Sequence, residues 1–398
     1  DEPEPPRDVA DHGALAPAAG DRGTWVVWAA GLPPLAVLTN LAVPDALLLT
    51  AWALGLAGAI RGGRGWWVAG LCGGLASLAK YTGIGLVPLL ILGADPAERR
   101  TADPWLGLAL AAALVAPNLG WNAVHDGVTL RFQLGEGLLN AHPPGLGGVV
   151  VQLVDQCLVA GPIAAAAAVG WFARTTSGWA SAPRVDRLCL ATSLPLAVGF
   201  ALAAIGGPPE AHWPAPMWIG IGLGLSRAAG RLHRAGSLGA ALGAVVSVAI
   251  AVHGVHPLVR WPGDPGVRLT EGEVLGAEVA RWVVPAVAGD EPRYPVFTER
   301  YQEAALLRWT TGLDVHVLPG CGRRSQDDLD AGRADAVLAD AVLAATLPDR
   351  VWFVRPATSG PPRCLLDRYP ILDGPHPIRT VDRFDRRVGP WDLFGAAR

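Results

Sequence analysis

The sequence predicts a polytopic α-helical membrane protein of about nine spans, followed by a C-terminal extracytoplasmic α/β domain. Three observations predict it. Hydrophobic residues make up 51% of the 398-residue chain and charged residues only 17%, against about 25% charge in ordinary soluble domains. The deficit is local: from Thr24 to about His256 the chain alternates apolar blocks with short polar breaks, whereas from Gly263 onward it is rich in Arg, Asp and Glu. The basic residues between the blocks also fall unequally on alternate loops.

Taken in order, residues 1–23 are acidic and Pro-rich and read as a disordered or non-native segment. They lack the basic start and apolar core of a signal peptide. The transmembrane domain follows over 24–258. Its apolar blocks run 24–42, 46–60, 66–79, 81–93, 105–121, 149–172, 188–205, 213–226 and 237–256, and a span needs about 20 apolar residues. The blocks 66–79 and 81–93 are short, and read as a hairpin with Lys80 at its tip. Alternate loops then hold Arg61 and Arg64, Arg99 and Arg100, Arg174, Arg184 and Arg187, and Arg227, Arg231 and Arg234. The opposite loops hold Lys80 and Arg131. Cytoplasmic loops collect Lys and Arg, so the arginine side is expected inside an inner (plasma) membrane and the C-terminal domain outside. A single helix over 66–93 would put Arg61 and Arg99 on opposite faces and erase the bias.

The soluble domain, 263–398, reads as α/β. A helical pattern covers 269–287. "YPVFTE", "DVHVLP" and "VWFVRP" read as strands, "YQEAALLRWTTG" as a helix, and "IRTVDRFDRRVGPWDLF" as a late β-hairpin. Arg323, Arg324, Gln326 and Asp327 read as a solvated turn or as a substrate-facing loop. The five cysteines show no C-x-x-C spacing. Cys72, Cys157 and Cys189 fall in apolar blocks as small core residues. Cys321 and Cys364 could form one disulfide if their domain is extracytoplasmic. No basic stripe with interleaved aromatics is present, which excludes nucleic acid as a partner.

The chemistry belongs to the outer loops, because the inner ones contain arginine, glycine and little else. Lys80 is the only lysine among 32 basic side chains. An ammonium at membrane depth is costly unless it reaches water or an anion. Arginine would snorkel equally well, and a compact ammonium suits a phosphate as a point charge. Lys80 is therefore the candidate donor-phosphate ligand, with Tyr81 beside it. Asp45 opens a span after Pro44 and reads either as a helix-start acid or as a site residue. Asp155 lies in an apolar block with Gln152 and Gln156 at helical spacing, facing a cavity or the interface. The loop from Asn118 to Gln133 carries Asn122, His125, Arg131 and Gln133 between Trp121 and Phe132, a mix that sugar-contacting surfaces share. Glu210, His212 and Trp213 repeat it. His125 and His212 lack metal-ligand spacing, so no metal site is assigned, although a divalent metal is left open. No cofactor is implied, and no G-x-S-x-G, H-E-x-x-H or P-loop occurs in a suitable context.

Together, "VPDALLLTAWAL", "GGLASLAKYTGIGLVPLLIL", "APNLGWNAVHDGVTLRFQL", "EAHWPAPMW", "YQEAALLRW" and "GRRSQDDL" resemble the bacterial membrane glycosyltransferases of family 39 type. These are relatives of the protein O-mannosyltransferases and the lipid A aminoarabinose transferase, with the GT-C fold. The resemblance covers most of the chain from about residue 24. It implies transfer of a sugar, with inversion, from a polyprenyl-phosphate donor to a lipid, glycan or protein acceptor at the outer membrane face. It places Lys80 at the phosphate, Asp45 in the family's Pro-Asp, and Asn122, His125 and Gln133 in its outer loop. Tyr301 and Gln302 fall in its outer-domain "YQ". Glu210, His212 and Trp213 fall on a motif usually written Asn-Trp, so His212 departs from it. The family's catalytic acid lies in a first outer loop, after a first span, to which no position here corresponds. The expectation is therefore a chain lacking the N-terminal spans, or a catalytically incomplete one, and the catalytic residue stays unassigned. The competing readings are a transporter or flippase of lipid-linked sugars, which would show internal repeats, and a non-catalytic accessory subunit.

Overall fold

A computed structural model describes residues 44–125, 127–131, 145–207, 209–256, 258–259, 267–283, 294–319, 321, 347–357, 360–381 and 387–398. The apolar block 24–42, Gln133 and the segment from Arg323 to Asp327 lie outside these residues, as does the side chain of Arg131. The chain forms two compact units, one ending at Ala251 and the other beginning at Val252.

The first unit is helical. Helix α1 (Pro44–Arg61) pairs with α2 (Gly65–Ala79) as a hairpin. At Lys80 the backbone turns extended, with φ −159° and ψ 139°. A 3-10 turn (Tyr81–Gly85) and α3 (Leu86–Gly93) then lead the chain back along α2. A Cβ added to Gly73 would collide with Val87, fourteen residues on, which one continuous helix forbids. The segment 66–93 is thus a hairpin with Lys80 at its tip. Helix α4 (Asp103–Val124) packs on α2 where Gly70 meets Gly107 backbone to backbone, the small-residue contact by which apolar helices approach closely. Then come α5 (Val128–Arg131), α6 (Leu146–Ala160), α7 (Pro162–Ser177), α8 (Arg184–Ala203), α9 (Met217–Arg227) and α10 (Arg231–Val255).

The arginine-bearing turns gather at one end of this unit. Arg184 donates to the Ala59 and Ile60 carbonyls at 2.6 and 2.7 Å and forms an ion pair with Glu98 at 2.6 Å. Trp66 Nε1 donates to the same Glu98, at 2.7 Å. Arg187 pairs with Asp95 and Arg227 with Asp186. By helix rise, Asp45 lies roughly 24 Å from this cluster along α1. Asp45 and Lys80 therefore share the opposite end.

The count of nine spans is not met. Among the described residues, three helices are long and apolar enough to cross a membrane: Asp103–Val124, Arg184–Gly206 and Arg231–Val255. A fourth counts if α6 and α7 are one span, but they bend by 111° where Gly161 takes φ +84° ahead of Pro162. The block 213–226 is apolar for another reason. In α9, eleven residues long, Met217, Trp218, Ile219, Ile221 and Leu225 are buried inside the protein. Hydropathy records removal from water and does not distinguish lipid from a protein interior. The exterior carries Leu54, Leu78, Leu158, Val169, Leu202 and Val248, while Asp45, Asn122, Gln152, Gln156, Thr192 and Ser193 lie buried. Apolar outside with polar groups within is the pattern of a membrane-associated helical protein.

The second unit contains a five-stranded sheet in the order β2-β1-β3-β5-β4: β1 (Val296–Thr298), β2 (Val315–Val317), β3 (Arg350–Pro356), β4 (Ile371–Val381) and β5 (Arg387–Ala397). The first three strands run parallel, and β5 and β4 pair antiparallel. Helices α11 (Val267–Val283) and α12 (Tyr301–Thr311) pack on each other, with Leu275, Val279, Ala304 and Leu307 meeting Val296, Val315 and Leu393 in the core. Gly312 ends α12 at φ +66°, the left-handed cap that glycine adopts without strain. A disulfide joins Cys321 to Cys364, the latter in the short helix α13 (Arg363–Leu366).

Candidate functional site

Asp45 sits in the first turn of α1, where the freed backbone N–H groups of a helix start favour an acid. It is only 6% exposed, too deep for a surface cap. Its partner is Lys80: Nζ donates to Asp45 Oδ1 at 2.8 Å. The extended backbone at the tip of the 66–93 hairpin aims Lys80 across at the start of α1. The chain between α8 and α9 supplies a third and a fourth group. His212 Nε2 lies 3.8 Å from Asp45 Oδ2, and the Lys80 ammonium stands 5.6 Å from the Trp213 ring centroid. That is cation–π range.

The segment carrying His212 and Trp213 is held by consecutive tight turns. Trp213 N–H donates to the Glu210 carbonyl and Ala215 N–H to that of His212, at 2.9 and 3.0 Å. It is pinned from α6. Gln156 Nε2 donates to the Ala211 carbonyl at 2.8 Å, and Gln156 Oε1 accepts from Trp218 Nε1 at 3.0 Å. Beside Lys80, Tyr81 donates its hydroxyl to Asn118 Oδ1 at 3.1 Å, and Asn122 Oδ1 accepts from Thr129 N–H at 3.1 Å. These bonds fasten the α4–α5 turn to the hairpin tip.

Burial, foremost, and the Lys80 charge hold His212 below the usual histidine range, while Asp45 and Glu210 pull the other way. A neutral imidazole is thus favoured beside the Lys80–Asp45 pair.

A cavity of about 500 Å³ opens at Lys80. Lys80, Tyr81, Thr82 and Trp213 form its polar side, and Ile84, Leu130, Pro195, Leu196 and Phe200 its apolar side. Gly199 belongs to the same wall, and a Cβ there would meet no atom within 4 Å. The lining thus combines a cation and an aromatic ring with a hydrocarbon surface.

The predicted residues separate into groups. Asp45, Lys80, His212 and Trp213 meet directly, and Tyr81 and Asn122 adjoin them. His125 instead stacks on Trp121, ring centroids 4.1 Å apart, with Nδ1 2.7 Å from the Trp121 carbonyl oxygen. Glu210 is exposed and reaches the site only through its field at His212. On α6, Gln152 and Gln156 are buried at i and i+4, and Asp155 beside them is half-buried. Arg131 closes α5. Tyr301 and Gln302 open α12 in the second unit. Among the described residues, no three His, Cys, Asp or Glu side chains converge as metal ligands. Sequence reasoning missed the apolar wall and the Gln156–Trp218 pin. The signal for the wall was present in Pro195 and Gly199, a proline and a glycine four residues apart inside one apolar block.

No family model, curated protein or solved structure matches this chain.

Proposed function

We propose that the protein is a membrane glycosyltransferase that moves a sugar from a polyprenyl-phosphate donor to a lipid, glycan or protein acceptor, with inversion. The observation that carries this reading is the mixed lining of the cavity, the only lysine and Trp213 together with a hydrocarbon wall. A lipid-linked sugar phosphate combines the same chemistries. Its phosphate belongs at Lys80, its sugar against the Trp213 ring, and the first isoprene units along Leu130, Leu196 and Phe200. As the bond to the sugar breaks, negative charge grows on the leaving phosphate. A fixed ammonium beside that oxygen stabilises the charge.

The gathered arginines support an arginine side in the cytoplasm of an inner-membrane protein and a site opening to the opposite face. The Cys321–Cys364 bond supports an extracytoplasmic second unit, since disulfides persist in oxidising compartments. The same placement suits cell-envelope or protein glycosylation.

The test is sugar transfer by full-length protein across a panel of polyprenyl-phosphate sugars. Lys80→Ala is expected to cost about 10²–10³-fold in kcat with the helical content unchanged. Wild-type turnover in that variant would remove Lys80 from the site and the reading with it.

A further inference from the structure

The inference rests on the reading of Lys80 as the phosphate ligand and concerns what Asp45 does when a phosphate arrives. The Asp45 side chain is 9% exposed, and its two oxygens face two different residues: Oδ1 meets Lys80 at 2.8 Å, and Oδ2 faces His212 Nε2 at 3.8 Å. A carboxylate this deep is costly to leave unpaired. A phosphate at Lys80 offers the ammonium a second anion. Whatever share of Lys80 it draws off must be replaced at Asp45, and His212 is already at the other oxygen. The His212 side chain is 39% exposed, so a solute can reach it.

We propose that Asp45 is a shared acceptor that passes from Lys80 to His212 when an anionic phosphate binds, and that His212, so oriented, takes the proton from the acceptor hydroxyl. His212 Nε2–H then donates to Asp45 Oδ2, leaving the Nδ1 lone pair to receive the proton. The acceptor oxygen bonds to the anomeric carbon. The bond from that carbon to the phosphate oxygen breaks, and its electron pair stays on the phosphate beside Lys80. The imidazolium formed is paired with Asp45 and releases its proton to water after the products leave. Two cations thus serve two anions at the moment both are needed. Among the described residues, the charged groups that face His212 are Lys80, Asp45 and Glu210. Of these, Lys80 opposes protonation and Asp45 favours it, and Asp45 does so fully only once Lys80 has turned to the phosphate. His212 thereby gains basicity only when the donor is seated.

The experiment uses full-length protein in detergent with ¹⁵N-labelled histidine rings, His212 being assigned by His212→Gln. Its titration is followed with and without farnesyl phosphate, and calorimetry measures binding of the same probe. The proton affinity of His212 is expected to rise about tenfold on binding, and this rise to disappear in Asp45→Asn. His212→Gln is expected to lower kcat while leaving the donor KM unchanged. An undiminished rise in Asp45→Asn means that the phosphate acts on His212 directly, and overturns the handover while leaving the donor site standing. Farnesyl phosphate binding that is absent, or as tight in Lys80→Ala as in the wild type, overturns both. An equal response to inorganic phosphate at the same concentration supports the handover and overturns the lipid-linked donor.

Discussion

Lys80 Nζ and Asp45 Oδ1 stand 2.8 Å apart across 35 residues of sequence. One group belongs to the chain's only lysine, and the other is a buried acid at the start of a helix. A carboxylate buried like Asp45 is costly to leave unpaired, and Lys80 supplies the opposite charge. The pair ties the tip of the 66–93 hairpin to the head of α1 and sets the mouth of the cavity.

That tie is measurable as a coupling. Lys80→Met and Asp45→Asn are each expected to destabilise the helical unit, and the double variant less than the sum of the two. The interaction energy expected is about 1–3 kcal/mol. Thermal unfolding of the four proteins in one detergent gives the cycle. Strict additivity would mean that the contact does not hold the hairpin to α1.

The glycine contact between α2 and α4 makes a sharper structural demand. A Cβ at Gly70 would run into the Gly107 backbone, whereas one at Gly120, on the same α4, would meet nothing within 4 Å. Gly70→Ala is expected to lose about 3 kcal/mol, because backbone cannot move aside as a side chain can. Gly120→Ala should be neutral or gain up to about 1 kcal/mol from helix propensity. Unfolding midpoints of the two variants, measured side by side, check the difference in sign.

Glu303 makes the second unit sensitive to pH. It lies in the first turn of α12, 8% exposed, and Oε2 has no hydrogen-bond partner among the described residues. Burial, first, and then Glu299 push its carboxyl up to about 7, against the pull of Arg300 and Arg355. The folded state therefore binds a proton that the unfolded chain has released between about pH 4.5 and 7. Its contribution is complete below pH 4.5 and is lost as pH rises through 7, a change of about 3 kcal/mol. Glu303→Gln should flatten this dependence and leave α12 better protected than wild type at pH 8. Hydrogen exchange of peptides over Tyr301–Thr311, corrected for intrinsic rates, reads it.

The Cys321–Cys364 bond closes a loop with a sequence separation of 43 residues. Chain entropy assigns such a loop about 4 kcal/mol. Cys364→Ser is expected to lower the unfolding temperature of the second unit, and reductant to lower the wild type to the same value. If the domain is extracytoplasmic, the thiol left at Cys321 in that variant reacts in intact cells with a membrane-impermeant maleimide. Labelling only after lysis would place it inside.

Much of the architecture was legible beforehand because each element announces itself locally. Gly312 follows the helical pattern of 301–311 and caps it. The strand read in "VWFVRP" became β3, and the late hairpin became β4 and β5. The separation of arginines from Lys80 along the chain became a separation by helix end. The span count was not legible, because α9 is apolar for the sake of protein contacts and the helices of the 66–93 hairpin are each too short to span. The cavity wall was not legible for the same reason: Leu130, Leu196 and Phe200 are ordinary apolar residues until the helices bring them together.

By itself, then, the sequence determined which segments are helix or strand, which ends carry the arginines, and which polar residues are out of place among apolar ones. These follow from periodicity and from the cost of burying charge, both properties of a segment and its neighbours in the chain. Only the tertiary structure decided that Asp45 bonds to Lys80 with His212 near its other oxygen, that His125 turns instead to Trp121, and that α6 and α7 bend apart at Gly161. Such pairings depend on the rotation and register of packed helices, set by side-chain volumes summed over many residues, which no single stretch of sequence encodes.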